Sequence, residues 1–284
     1  MCGKLKVQRI IVSGVAQRQD RIAGFCCALI FCSAVAFVGG CGEGAISPSS
    51  VQPVENSLLA IKLAALAKKA DADDAGAQND MAVVLAHGEG GGKDVAKAIE
   101  WWQKAATQGS ADAQYNLGLT YALGNGVQVD VVKALHGYRA AAAQGHPGAQ
   151  NNLGVIYAEG SFVGKDAVAA TAWWKKAAAQ GSADAQYNLG VMYRDGEGVP
   201  VDTVLAYAWF NLAAASGHGL AIENGGIADR VLSQKEFSEA QRLASGWKNG
   251  QVLAREKKGT GAVLSAGNDN SRNKAIPAVF GSAP

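Results

Sequence analysis

The stretch QGSADAQYNLG occupies residues 108 to 118 and recurs, letter for letter, at residues 180 to 190, 72 positions later. Halving that spacing and aligning the chain on itself at a shift of 36 places Gln78, Gln114, Gln150 and Gln186 in one column, each preceded by Ala. The same shift aligns Gly88, Gly124, Gly160 and Gly196, then Asp94, Asp130, Asp166 and Asp202, then Ala98, Ala134, Ala170 and Ala206. An aromatic column follows at Trp102, Tyr138, Trp174 and Phe210, and Gly109, Gly145, Gly181 and Gly217 close each unit. Six columns held in register over four consecutive units identify a repeat array, because each unit buries its apolar face only against its neighbours.

Each unit reads as two antiparallel helices. In SADAQYNLGLTYALGNG, Ala113, Leu117, Thr120, Tyr121 and Gly124 follow the spacing of one helical face, and Gly118 leaves room for close backbone approach. The glycines at 124 and 126 end this first helix. The Asp column then starts the second helix, since a carboxylate accepts from the free N–H groups of a first turn and sits at the positive end of the dipole. In DVAKAIEWWQKAATQG the second helix presents Ala98, Trp101 or Trp102, and Ala105 to the core.

With 49% hydrophobic residues, much of it alanine, and only 7% aromatics, the composition suits close-packed helices better than a β-sandwich. The columns resemble the Sel-1-like repeat, a relative of the tetratricopeptide repeat, whose pattern runs A-x-A-Q-x-x-L-G-x-x-Y, G-x-G-V, D, A-x-x-W-x-x-K-A-A and Q-G. Residues 111 to 145 and 183 to 217 match it almost throughout; the first unit has Ala82 in place of the helical Gly, and the third has Ser161 and Phe162 in its turn. The resemblance implies an all-α fold, a right-handed α-solenoid of helix–turn–helix repeats with a 36-residue period, over residues 73 to 217. SLLAIKLAALAKKA places Leu66 and Lys68 in the columns of Trp102 and Lys104, so residues 57 to 72 read as an N-terminal capping helix. Residues 218 to 247 read as C-terminal capping helices, and 248 to 284, rich in Gly, Ser, Asn and Lys, as a disordered tail.

The last of the five cysteines is Cys41, which removes a disulfide scaffold or a thiolate metal site from the body of the chain. The segment that holds them has basic residues up to Arg21 and then the uncharged run IAGFCCALIFCSAVAFVGG, the form of an export signal over residues 1 to 40. Its end, FVGGCGEG, resembles the bacterial lipoprotein signal, with Val38, Gly39 and Gly40 before Cys41 as the lipidated residue. An ordinary cleaved signal and an uncleaved helical anchor are the alternatives. Residues 41 to 56, with Gly, Ser and Pro, read as a flexible tether. The expected location is the bacterial cell envelope, as a periplasm-facing lipoprotein on the inner or outer membrane.

Lys4, Lys6, Arg9, Arg18 and Arg21 precede Cys41 against a single acid, Asp20; from Cys41 onward the net charge is −2, which gives no electrostatic footprint for nucleic acid. Of the four histidines, His146 and His218 share the column of Ser110 and Ser182 in alternate units while His87 and His136 fall at other phases, so no two are set as a metal pair on one helix face, and all four read as surface or cap residues rather than as metal ligands. No G-x-S-x-G, phosphate loop or dinucleotide fingerprint occurs, and the glycine clusters are turns between helices. The chain therefore reads as noncatalytic, with no cofactor and no metal: a membrane-anchored scaffold holding a protein or peptide in a concave groove lined by the first helices. The alternative is a peptidoglycan- or glycan-associated envelope enzyme or accessory factor.

Two columns after the Gln carry the expected contacts: Asn79, Tyr115, Asn151 and Tyr187, then Asp80, Asn116, Asn152 and Asn188. Among these, Tyr115, Asn116, Asn151, Asn152, Tyr187 and Asn188, together with Arg194, are the candidate partner-binding residues. An amide in every unit could pair with the backbone of an extended peptide, or instead bond to the neighbouring repeat.

Overall fold

The computed structural model describes residues 52–89, 91–226 and 231–255, and every element among them is a helix. The helices run α1 (Gln52–Asp71), α2 (Ala75–His87), α3 (Val95–Thr107), α4 (Ala111–Leu123), α5 (Val131–Ala143), α6 (Pro147–Glu159), α7 (Ala167–Ala179), α8 (Ala183–Asp195), α9 (Thr203–Ala215), α10 (Gly219–Gly225) and α11 (Gln234–Ser245). The fold is an α-solenoid: α2 pairs with α3, α4 with α5, α6 with α7 and α8 with α9, and each second helix also packs on the first helix of the next pair.

Local chemistry sets each helix. Asp94, Asp130, Asp166 and Asp202 cap the second helices by accepting from the N–H three residues on, at 3.0, 3.0, 2.9 and 3.0 Å. Asp74, Ser110, His146, Ser182 and His218 cap the first helices in the same way. Gly88, Gly124, Gly160 and Gly196 end the first helices in the left-handed region, at φ of 81, 68, 69 and 73°. All eight repeat helices are consequently thirteen residues long, and the alternation is uniform.

The core lies between the two helices of a pair. Ala98, Ala134, Ala170 and Ala206 are buried, as are Trp102, Tyr138, Trp174 and Phe210. Of the two tryptophans in the first unit it is Trp102 that is buried, Trp101 being only partly so. The glycines of the first helices admit these rings: a Cβ at Gly154 would stand 2.5 Å from Trp174 Nε1, and one at Gly190 2.5 Å from Phe210.

The glutamine column stitches three helices together. Gln78, Gln114, Gln150 and Gln186 donate to the carbonyls of Ala70, Ala106, Ala142 and Ala178 on the preceding helix. Three of them also accept, from Gln108 (2.9 Å), Gln144 (2.8 Å) and Gln180 (2.9 Å) at the end of their own second helix. In the fourth unit Ser216 replaces that glutamine, and Gln186 Oε1 is buried without a partner among the described residues.

The ends differ in detail from the sequence reading. α1 begins at Gln52, inside the stretch read as a tether to residue 56; Pro53 falls in its first turn, where a missing N–H costs no helical bond. Ala70 supplies the carbonyl to Gln78, so α1 does the work of a preceding second helix. At the other end, α11 packs on α9, and residues 248–255, read as the start of a disordered tail, are held against the last repeat; the rest of that tail lies outside the described residues. Leu253 is buried in the core of the last repeat, and Arg255 pairs with Glu239 and Asp202, contacts that polar composition could not reveal.

Candidate functional site

Consecutive first helices meet at joints of two kinds. Where α4 meets α6, the Tyr115 ring stacks on the His146 imidazole with centroids 4.4 Å apart, and lies tilted at 6.0 Å from Tyr138. His146 caps α6 through Nδ1, which accepts from Ala149 N–H at 3.1 Å, while Nε2 faces Asp112 Oδ1 at 3.2 Å. A neutral imidazole with its proton on Nε2 satisfies both contacts. Gly148 leaves space for the arrangement, since a Cβ there would stand 3.1 Å from both Tyr115 and His146.

The joint between α8 and α10 repeats it. Tyr187 stacks on His218 at 4.5 Å, His218 Nδ1 accepts from Ala221 N–H at 3.2 Å, and Nε2 faces Asp184 Oδ1 at 3.5 Å. Burial holds His218 below its ordinary pKa, with Asp184 opposing, and burial raises Asp184, with His218 opposing.

At the joints capped by Ser110 and Ser182, amides replace the rings. Asn116 Nδ2 donates to Asn79 Oδ1 at 3.0 Å, and Asn188 Nδ2 to Asn151 Oδ1 at 3.3 Å. In both pairs the carboxamides bond across adjacent repeats, the second of the two arrangements that the column allowed. Asn151 and Asn152 are buried, and Asn152 Nδ2 stands beside the Tyr138 hydroxyl without a well-formed hydrogen bond among the described residues. Burial and then Tyr115 push the Tyr138 hydroxyl far above its usual range, and Asn152 beside it works in the opposite direction. Tyr115, Asn116, Tyr187 and Asn188 are half-buried, and Arg194 is exposed. Cys41 lies outside the described residues.

Arg194 stands at the end of α8 beside a cleft. Its Nε and Nη2 donate to Asp195 at 2.6 and 2.8 Å, and Nη1 donates to Asn224 Oδ1 at 3.1 Å. Phe210, Tyr207, Val231 and Leu232 supply most of the apolar lining, with Arg194 and Asn224 at the polar side. The repeat columns did not point to Asn224, Val231 or Leu232, because these lie beyond the periodic array. A signal for the histidine joints does exist in the sequence: His146 follows Tyr115 at the same offset at which His218 follows Tyr187. Among the described residues, no group of three His, Cys, Asp or Glu side chains is placed to hold a metal ion, and no helix is long and apolar enough to cross a membrane.

A family model described as Sel1 repeat matches residues 75–110, 111–146, 147–182 and 183–218 in succession, just over half of the chain. A Sel1 repeat protein from Oxalobacter formigenes is 39% identical over 57% of this chain and 46% of its own, with a TM-score of 0.54. A protective antigen present in uropathogenic Escherichia coli strains, displaying an SLR fold, is 32% identical over 64% of this chain and 47% of its own, with a TM-score of 0.46. The chain thus spans about half the length of these two proteins. No curated protein matches it.

Proposed function

This chain belongs to the Sel1 repeat family, and we propose that it is a noncatalytic scaffold held at a membrane of the bacterial cell envelope, binding a protein or peptide along its first helices. Sel1 repeat proteins are generally protein-interaction scaffolds. The observation that carries the reading for this chain is the cleft beside Arg194. An apolar recess of this kind takes one large side chain of a partner, and a guanidinium already oriented by Asp195 and Asn224 offers a polar contact at its edge. The half-buried Tyr115 and Tyr187 rings lie on the first helices, the series that also carries Arg194 and Asn224 at the edge of the cleft. The paired asparagines hold neighbouring helices together and thereby fix the spacing of that surface. The anchor is assigned to Cys41 on the form of the segment before it, with a diacylglyceryl thioether and an amide-linked chain giving two-chain attachment.

Val231 lies at the cleft and is 62% exposed, so Val231→Asp alters the recess without emptying the core. The expected result is loss of crosslinked protein partners in envelope extracts at an unchanged melting temperature. Partner capture that survives Val231→Asp would remove the cleft from the binding surface, and retention on peptidoglycan with bond cleavage would replace the scaffold by an enzyme. Mass spectrometry of the mature N-terminus, with Cys41→Ala as the control, tests the anchor.

A further inference from the structure

The last repeat is covered on a side that its neighbours leave open. The second residue of the second helix shows this: Val132 is 70% exposed and Val168 67%, yet Val204, one period later, is 0% exposed. The cover is α11 together with a strap, residues 247–255. Gly250 N–H donates to the Ala179 carbonyl, at the end of α7, at 2.6 Å. Leu253 is buried in the cluster that contains Val204. Arg255 places its guanidinium on Asp202, the cap of α9, at 3.3 Å, and on Glu239 of α11 at 3.0 Å. From Gly250 to Arg255 an extended chain reaches about 17 Å, close to the roughly 19 Å length of a thirteen-residue helix. The strap therefore passes from one end of the repeat to the other.

Among the described residues, nothing covers the same features one period earlier. Ala143 corresponds to Ala179, Val168 to Val204 and Asp166 to Asp202. A Cβ at Gly181 would stand 3.3 Å from Asn249 Oδ1 of the strap, whereas one at Gly145 would meet nothing within 4 Å. The cap carboxylates also divide. Asp94 and Asp130 pair with Lys97 (3.4 Å) and Lys133 (3.3 Å) on their own helices. Asp166 and Asp202 have Ala169 and Leu205 at that position instead. For Asp202 the cation comes from the strap; Asp166 makes no ion pair among the described residues.

We propose that the outer face of the third repeat docks an extended peptide of another protein, one that carries an aliphatic side chain two residues before a basic one. The aliphatic group covers Val168 as Leu253 covers its cluster, and the basic group meets Asp166 as Arg255 meets Asp202. Burial of the aliphatic group supplies most of the affinity, because an exposed ion pair is worth little and acts mainly on encounter and orientation. This face lies on α7, none of whose residues lines the cleft, so its test is independent of the cleft.

The probe is the synthetic peptide Trp-Lys-Asn-Gly-Gln-Val-Leu-Ala-Arg, the sequence of residues 247–255, titrated into the isotope-labelled full chain and followed by NMR. Saturable shifts are expected at the amides of residues 143–145 and 166–168. Val168→Lys abolishes them, while Asp166→Asn, which keeps a helix cap, weakens binding by about threefold, and less so at high salt. A peptide bearing Arg255→Glu binds no better than background. The proposal is overturned by shifts confined to residues 179–181 and 202–204, which report exchange with the resident strap, or by the absence of saturation. Binding that ignores Val168→Lys in a protein with unchanged circular dichroism also overturns it. So does self-association that depends on residues 247–255, which makes a second copy the occupant.

Discussion

The joint between α4 and α6 and the joint between α2 and α4 join the same kinds of helix at the same 36-residue period, yet by different chemistry. The first uses Asp112, Tyr115 and His146, a carboxylate, a ring and a cap that is itself a ring. The second uses Asn79 and Asn116 beside the Ser110 cap. The joints after α6 and α8 follow in the same order, amide and then ring. Helix packing therefore repeats with every unit, and joint chemistry with every second unit. That is why QGSADAQYNLG returns unchanged in alternate units and not in each one: its Asp and Tyr belong with a histidine in the following unit.

The comparison breaks most severely if the phase is wrong. Deleting half a period, from Ser110 to Val127, sets a second helix where a first belongs, and circular dichroism should show loss of the cooperative fold. Deleting the whole period from Ser110 to Gly145 keeps the phase but sets Asn79 against His146, so the product should be helical with a lowered melting temperature. Adding Gly76→Asp and Asn79→Tyr rebuilds the ring joint and should restore part of the loss. Equal behaviour of the two deletions would refute the period.

Single substitutions sharpen the difference between the joints. Tyr115→Ala removes a stacked, half-buried ring and should cost about 2–3 kcal/mol. Asn151→Ala loses one amide pair and should cost about 1 kcal/mol. At about 2–4 °C per kcal/mol for a protein of this size, thermal melts separate the two. If the order were reversed, the ring joint would not be the stronger.

Of the joints between first helices, the ring joint of α8 and α10 is the one on which mild acid should act. Because burial holds His218 below 6.5 in the folded protein, the unfolded chain binds more protons between that ordinary value and the folded one. Stability contributed by neutral His218 is thus present above pH 6.5 and is lost as pH falls through that window. Asp184, raised by burial, acts in the opposite sense at lower pH, where its protonation relieves a buried charge. His218→Asn keeps a cap and should flatten the fall in melting temperature between pH 7.5 and 5.5; an unaltered slope would place the titrating group elsewhere.

The smallest expected effect is a gain. Ser216→Gln offers Gln186 Oε1 the donor that the other three units already have, and should stabilise by about 1 kcal/mol. No change in melting temperature would mean that the buried oxygen is satisfied by water.

Much of the candidate surface was legible, and some of it was not. Tyr115, Asn116, Asn151, Asn152, Tyr187, Asn188 and Arg194 stood out as columns or near them, but a column does not say what each side chain meets. Asn116 and Asn188 turned out to bond back to Asn79 and Asn151 in the preceding unit, and Arg194 to reach forward to Asn224. The strap escaped because Leu253 and Arg255 sit in a polar, aperiodic stretch where local composition signals looseness.

The sequence by itself determined the helices, their caps, their period and their buried columns. Those depend on interactions within three or four positions and on one apolar face per helix, which a short window contains. Only the tertiary structure decided which glutamine accepts from which, where rings replace amides at a joint, and where the chain returns to cover α9. These contacts join residues 16 to 53 positions apart. Whether such residues meet depends on the angle at which one helix pair stacks on the next, a quantity summed over many side chains and written in none of them singly.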